Sequence, residues 1–312
     1  MRLVTFREAA DAREPGRLGV LISGGDEVLD IWRALVLVDG YRARPASHLE
    51  WFDLDGPWLA SARLVAQTVS DSPDGSRAAR KLDAVLPRAS VRLLAPVPRP
   101  GKIICVGLNY RDHAAEAKMD MPPVPVLFAK FPSAVIGTDD PIVVPRTSTR
   151  VDYEAELAVV AGRRMKHASP AAALAGVVGY TNANDVSARD FQKLDGQWVR
   201  SKSCDTFAPM GPALVTCDEV PEHGALRVAF RLNGVTLQDS CTDQLVFDVP
   251  HLLAFISETA TLEPGDVVLT GTPPGVGFAR RPAVYLKAGD VAEVEIGNLG
   301  VLCNRVVAED GG

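Results

Sequence analysis

Apolar residues in this chain come in short runs punctuated by Gly and Pro, a pattern that predicts strands more often than helices. Strands are expected over 102–106, 151–160, 213–216, 227–232, 266–270 and 291–296, with a further buried strand over 177–185. Helical spacing predicts only short helices between them, over 110–118, 170–175, 188–193 and 250–257. This is not the regular strand–helix alternation of a doubly wound sheet. It predicts an α+β chain, mostly β, folded as a roll or distorted barrel with helices at its rim.

The first 95 residues form a separate pattern. Strands over 18–22 and 27–31 flank the turn Gly24-Gly25-Asp26, and helices are expected over 60–70 and 76–86. The run 95–101 carries Pro96, Pro98 and Pro100, which neither regular element tolerates, so it reads as a linker. The expected division is a small α+β domain over 1–95 and a chemistry-bearing domain over 96–312.

Composition narrows the function classes. The chain has 312 residues, 47% of them hydrophobic and 23% charged, the balance of a globular protein with a sizeable core. Its net charge is −6 and it has no basic run, so a nucleic-acid surface is not expected. No apolar stretch reaches the roughly 20 residues that cross a bilayer. The start turns polar too soon for a secretory signal. The five cysteines are scattered and form no CxxC pair, which argues against a zinc knuckle or a disulfide framework. A cytoplasmic protein is expected.

The strand over 151–160 holds Glu154 and Glu156 two residues apart, a spacing that puts both on one face. Its other face offers Val151, Tyr153, Leu157 and Val159. Like charges beside a core call for a positive partner, and Mg²⁺ or Mn²⁺ favours carboxylate oxygen. A strand with one wet, acidic face is the alternative. Asp185 ends the strand over 177–185, either as a helix N-cap or as a third oxygen ligand. His113 and Glu116 are three apart, which suits a base and its orienting carboxylate, or equally a surface pair. Lys202 suits stabilisation of a developing negative charge, or is simply solvated. Arg189 and Gln192 follow Asp185 by one and two helical turns and can face the same cleft. The Gly/Pro loop over 269–277 has backbone N–H groups and Thr272 to hold a carboxylate, or is a plain turn.

The series GLNYRDHAAE, VDYEAELAVV, NANDVSARDFQ, SKSCDTFAPMGP and LTGTPPGVG, in this order over residues 95–310, resembles the fumarylacetoacetate hydrolase family. The resemblance implies a β-rich roll, usually a homodimer, preceded by a smaller variable domain. It implies that Glu154, Glu156 and Asp185 bind Mg²⁺ or Mn²⁺, that His113 and Glu116 activate water, and that Lys202 is catalytic. Lys130, Arg189, Gln192 and Thr272 fall on substrate-contacting positions. The longer eukaryotic members add a metal-binding Asp shortly before the catalytic His. Here Val106, Gly107, Leu108 and Asn109 stand there, with only Asp112 adjacent, so three carboxylates are expected.

The implied reaction is hydrolysis of a carbon–carbon bond in a 1,3-diketo acid, of the acylpyruvate, fumarylpyruvate or diketo sugar-acid type. In it His113 deprotonates a water that attacks the far carbonyl. Decarboxylation of oxaloacetate, or isomerisation of a 2-hydroxydienoate, would use the same metal and lysine without a water nucleophile.

Overall fold

The computed structural model describes residues 1–9, 16–39, 45–112 and 121–309. The first unit contributes β1 (Arg2–Glu8), β2 (Arg17–Ile22), β3 (Glu27–Asp30), β4 (Val85–Pro87) and β5 (Val91–Leu94). The region beyond contributes β6 (Ile103–Gly107), β7 (Val126–Lys130), β8 (Val135–Ile136), β9 (Ile142–Val144), β10 (Val151–Asp152), β11 (Ala155–Ala161), β12 (Val177–Asn184), β13 (Ser187–Ala188) and β14 (Ala208–Thr216). It ends with β15 (Arg227–Leu232), β16 (Val235–Cys241), β17 (Val267–Leu269), β18 (Val291–Ile296) and β19 (Val301–Ala308). Strand outweighs helix, and the chain is α+β in the β-rich manner expected.

A 12-stranded sheet runs β4-β3-β2-β1-β14-β12-β11-β17-β6-β7, with β5 and β8 branching from it, and a five-stranded sheet runs β16-β15-β18-β19-β9. Strand β1 pairs with β14 (Leu3 opposite Leu214), so backbone hydrogen bonding is continuous between the first unit and the region after the proline run. The terminal ammonium adds to this seam, donating to Thr216 Oγ1 at 2.8 Å and pairing with Glu219.

Strand β11 is buried along its whole length. Leu157 and Val159 pack into the core shared with the five-stranded sheet, while Ala158 and Val160 pack into the core shared with Trp51, Phe52 and Trp58 of the first unit. Covered on both faces, β11 and β12 need continuous apolar sequence rather than alternation. The helix Pro57–Asp71 presents Leu59, Ala62, Val65 and Val69 to the second core, at the three- and four-residue spacing of an amphipathic helix.

Two local expectations change. The segment 151–160 is not one strand: it breaks at Tyr153 and Glu154, between β10 and β11. The broken backbone is satisfied by side chains, Tyr153 N donating to Asp152 Oδ1 at 2.9 Å and Glu154 N to Asn184 Oδ1 at 3.0 Å. The helix expected over 76–86 runs over Pro73–Lys81, and residues 85–87 instead pair with β3. Among the described residues the five cysteines are unpaired, and no helix is long and apolar enough to cross a membrane.

Candidate active site

The sheet registers gather the chemistry at one rim. Strands β6 and β17 run parallel (Leu269 opposite Cys105), so the turns after Gly107 and after Leu269 leave at the same end. Strand β11 is antiparallel to β17 and therefore starts there, with Glu154 and Glu156. Strand β12 is antiparallel to β11 and therefore finishes there, at Asp185. A hydrogen bond of 2.9 Å from Asp185 N to Glu154 O ties these two segments together.

One carboxylate oxygen each from Glu154, Glu156 and Asp185 lie within 4.8 Å of one another, and all three residues are buried. The wet-face and N-cap alternatives are thereby excluded: Glu156 shares its face with Ala158 and Val160, and the helix Arg189–Asp195 begins well beyond Asp185. Lys202, 2% exposed, donates to Glu154 Oε2 at 2.5 Å and to Asp185 Oδ2 at 2.6 Å. Lys130, equally buried, donates to Asp185 Oδ1 at 2.6 Å and to Val186 O at 3.2 Å. Arg189 binds Asp152 Oδ2 through Nε at 2.8 Å, Gln192 Oε1 through Nη1 at 3.0 Å, and Glu154 Oε1 through Nη2. Neither lysine is solvated, and Arg189 and Gln192 do share the cleft.

The charges do not balance. Burial opposes ionisation of Glu154, but Arg189 and Lys202 together hold its carboxyl well below the usual carboxylate range. Burial pushes the Glu156 carboxyl up, and the charges of Asp185 and Glu154 push it further. Among the described residues Glu156 has one directed donor, Gly271 N at 2.7 Å from Oε2. Gly271 has φ +102°, and a Cβ there would come 2.9 Å from Asn109 Cβ, so glycine is what lets this N–H face the carboxylate. Among the described residues four buried carboxylates (Asp152, Glu154, Glu156 and Asp185) meet three cations (Lys130, Arg189 and Lys202), one positive charge short when all four are ionised. Three clustered carboxylates with a positive charge missing fit a divalent cation, and the all-oxygen donor set fits Mg²⁺ or Mn²⁺.

Above this floor lies a cavity of about 200 Å³, whose walls include Val106, Leu108, Gln192, Trp198, Thr272 and Phe278. Phe128 and Trp198 meet edge to face at 5.2 Å. Gly107 permits that wall, because a Cβ there would come 2.8 Å from the Trp198 ring. Thr272 is set by Gln238, whose Nε2 donates to Thr272 Oγ1 and to Pro273 O, each at 2.8 Å. Burial and this register place every predicted site residue in or beside the cleft except His113 and Glu116, which lie outside the described residues.

Sequence reasoning passed over several contributors. Asp152 is fully buried and accepts from Gly277 N at 2.7 Å and Phe278 N at 3.2 Å besides Arg189. Its proximity to the acidic pair was the available signal. Gln238 accepts from Ala155 N at 2.9 Å and so links the start of β11 to the Thr272 loop. Asn109 donates to Thr270 O at 2.8 Å and Phe247 O at 3.0 Å, fixing the two turns against each other. Neither carries a sequence signal of its own.

Comparison with known proteins places this site among relatives. The family model "Fumarylacetoacetate (FAA) hydrolase C-terminal" matches residues 102–307. A mitochondrial oxaloacetate tautomerase of Bos taurus is 50% identical over 225 residues, 72% of this chain and 72% of the relative. Among solved structures, a fumarylacetoacetate hydrolase from Exiguobacterium antarcticum is 35% identical with TM-score 0.76, over 99% of this chain and 100% of that one. A 5-carboxymethyl-2-hydroxymuconate delta-isomerase from Mycobacterium smegmatis is 32% identical with TM-score 0.74, over the whole of both chains.

Proposed function

This chain belongs to the fumarylacetoacetate hydrolase family, and on that footing we propose that it is a divalent-metal enzyme interconverting the keto and enol forms of oxaloacetate or a close 2-oxo diacid. The observation that carries the reading is the buried Glu154–Glu156–Asp185 cluster, whose Glu154 and Glu156 line a small cavity together with Arg189, Gln192, Lys202 and Thr272. The 50% identity to an oxaloacetate tautomerase supports the choice of substrate.

Held by Glu154, Glu156 and Asp185, Mg²⁺ or Mn²⁺ would supply Lewis-acid polarisation of the 2-oxo group, which acidifies the adjacent carbon. The protein's own groups do the rest. Lys202 has three N–H donors and spends two on Glu154 and Asp185. The third is available to a substrate oxygen that gains negative charge as the enol forms, and buried ammonium stabilises such charge strongly. Arg189 spends three of its five donors on Asp152, Glu154 and Gln192, leaving two for a substrate carboxylate. Phe128, Trp198 and Phe278 exclude water from the carbon that exchanges its proton.

Hydrolysis of a 1,3-diketo acid, the reaction expected first from the sequence, would add a water nucleophile and the His113–Glu116 pair. Incubating the protein and Mg²⁺ with oxaloacetate, an acylpyruvate and a 2-hydroxydienoate, with products identified by mass spectrometry, tests the reading. Faster keto–enol exchange with the carbon skeleton intact is expected. Rapid cleavage of the acylpyruvate with no effect on oxaloacetate would replace the proposal by hydrolysis.

A further inference from the structure

Gln238 is where the five-stranded sheet reaches the active site. It lies on β16 opposite Phe230 and is buried. Thr272 lies three residues past Leu269, the end of β17 in the 12-stranded sheet, and lines the cavity. The loop that carries Thr272 is laid against β16. Arg280 donates from Nη2 to Leu237 O, and a Cβ on Gly275 would come 2.1 Å from that same oxygen. Gly275 has φ +100°, so glycine is what allows this close approach.

The partners of the Gln238 amide fix which end is which. Its Oε1 faces Ala155 N, which can only donate, at 2.9 Å. Its Nε2 faces Pro273 O, which can only accept, at 2.8 Å. A flipped amide would set N–H against N–H and oxygen against oxygen. The second Nε2 proton goes to Thr272 Oγ1 at 2.8 Å. Thr272 therefore accepts from Gln238, and its own proton has no acceptor among the described residues. A hydroxyl that accepts in this way donates more strongly, and this one borders the cavity.

We propose that Gln238 is a positioning residue, which holds Thr272 as a proton donor to a carboxylate of the bound 2-oxo acid. The second sheet thereby sets the polarity of one corner of the cavity. The inference rests on the reading of the site given above and adds to it a residue that acts only through Thr272. A carboxylate carries its full charge in both the keto and the enol form. The contact is therefore equally strong throughout the reaction and belongs to KM rather than kcat. A ligand offering an N–H or O–H donor at this corner meets the Thr272 proton instead of an acceptor, so the corner selects against it.

Steady-state keto–enol exchange of oxaloacetate by the full protein in saturating Mn²⁺ tests this, with Mn²⁺ affinity taken from calorimetry. Wild type is compared with Gln238→Met, Thr272→Val and the double variant. Methionine keeps the length of the side chain and removes its hydrogen bonds. Thr272→Val should raise KM about tenfold, the scale of one hydrogen bond to a charged group. Gln238→Met should raise KM about three- to tenfold, because the hydroxyl remains but is no longer oriented. In both the change should fall on KM and not on kcat or Mn²⁺ affinity. The double variant should match the KM of Thr272→Val, since Gln238 acts through that hydroxyl. Unchanged KM in Gln238→Met, a further rise in the double variant, or a joint fall of kcat and Mn²⁺ affinity would overturn the positioning role. Should Gln238→Met not fold, Thr272→Ser, which keeps the proton, decides against Thr272→Val: a raised KM in valine alone supports the donor, and equal KM in the two overturns it. Failure of wild type to accelerate the exchange with Mn²⁺ bound would instead remove the functional reading, and this inference with it.

Discussion

Arg189 donates from Nε to Asp152 Oδ2 at 2.8 Å, and Asp152 in turn gathers the backbone N–H groups of Tyr153, Gly277 and Phe278. This one carboxylate therefore fixes the cation that reaches Glu154 and the turn that carries Phe278. Asparagine at this position would turn an amide N–H₂ either toward Arg189 and the Phe278 N–H or toward the Tyr153 and Gly277 N–H groups. Asp152→Asn should lower stability by about 3 kcal/mol, the scale for breaking a buried pair on one side. Urea denaturation reads this as an earlier midpoint with an unchanged slope. An unmoved midpoint would show that the Arg189–Glu154 contact alone suffices.

Among the described residues Glu156 is the least compensated carboxylate of the cluster, with one backbone donor and two acidic neighbours. Glu156→Gln removes that repulsion and should leave the metal-free Tm no lower than wild type. Mn²⁺ affinity by calorimetry should fall more than about a hundredfold, beyond what outer-shell changes cost. A loss of Tm without a loss of affinity would mean that Glu156 is structural.

Lys202→Met should separate binding from turnover. Removing the ammonium leaves Glu154 and Asp185 with more free negative charge, so Mn²⁺ should bind at least as tightly as in wild type. Tautomerisation of oxaloacetate should slow by about 10²–10³, the range for one preorganised donor at a developing charge. Equal kcat in wild type and variant would make Lys202 a counter-ion only.

Glu154, Glu156 and Asp185 were legible as a set mainly through the family resemblance, because their spacing alone left a wet strand face and an N-cap open. Helical spacing allowed Arg189 and Gln192 to share the cleft or to lie on a surface helix. For Lys202 the sequence offered a role at a developing negative charge but not its burial. A lone lysine gives no sign of burial until the sheet brings Glu154 and Asp185 to it. The break at Tyr153 and Glu154 was missed because its backbone is satisfied by Asp152 and Asn184, and the second of these lies on another strand. Strand β1 pairs with β14 across more than two hundred residues, and no local pattern specifies that register. Asp152 was passed over for the same reason, since the Gly277 and Phe278 amides it holds lie 125 and 126 residues away.

A pH dependence of stability follows from the junction between β1 and the proline run. Thr5 Oγ1 gives its proton to Pro96 O at 2.8 Å and so accepts from His48 Nε2–H at 2.9 Å. Burial pushes the His48 imidazole down from 6.5 to about 4, so the folded ring stays neutral where the unfolded ring gains a proton. The associated stability is complete above pH 6.5 and is lost as pH falls from there toward about 4. It amounts to roughly 2 kcal/mol once the partly exposed edge of the ring is allowed for. Urea midpoints at pH 7.5 and 4.5 should differ more in wild type than in His48→Gln. Parallel pH profiles would contradict this.

The central claim is that Glu154, Glu156 and Asp185 hold a divalent cation that activates a 2-oxo diacid for keto–enol exchange. Its most direct measurement is the rate of oxaloacetate enol decay, followed by ultraviolet absorbance, for metal-stripped wild type with and without added Mn²⁺ and for Glu156→Gln under the same conditions. The account predicts acceleration only by wild type with Mn²⁺, reversed by EDTA. Acceleration that survives EDTA, or that Glu156→Gln retains in full, would contradict it.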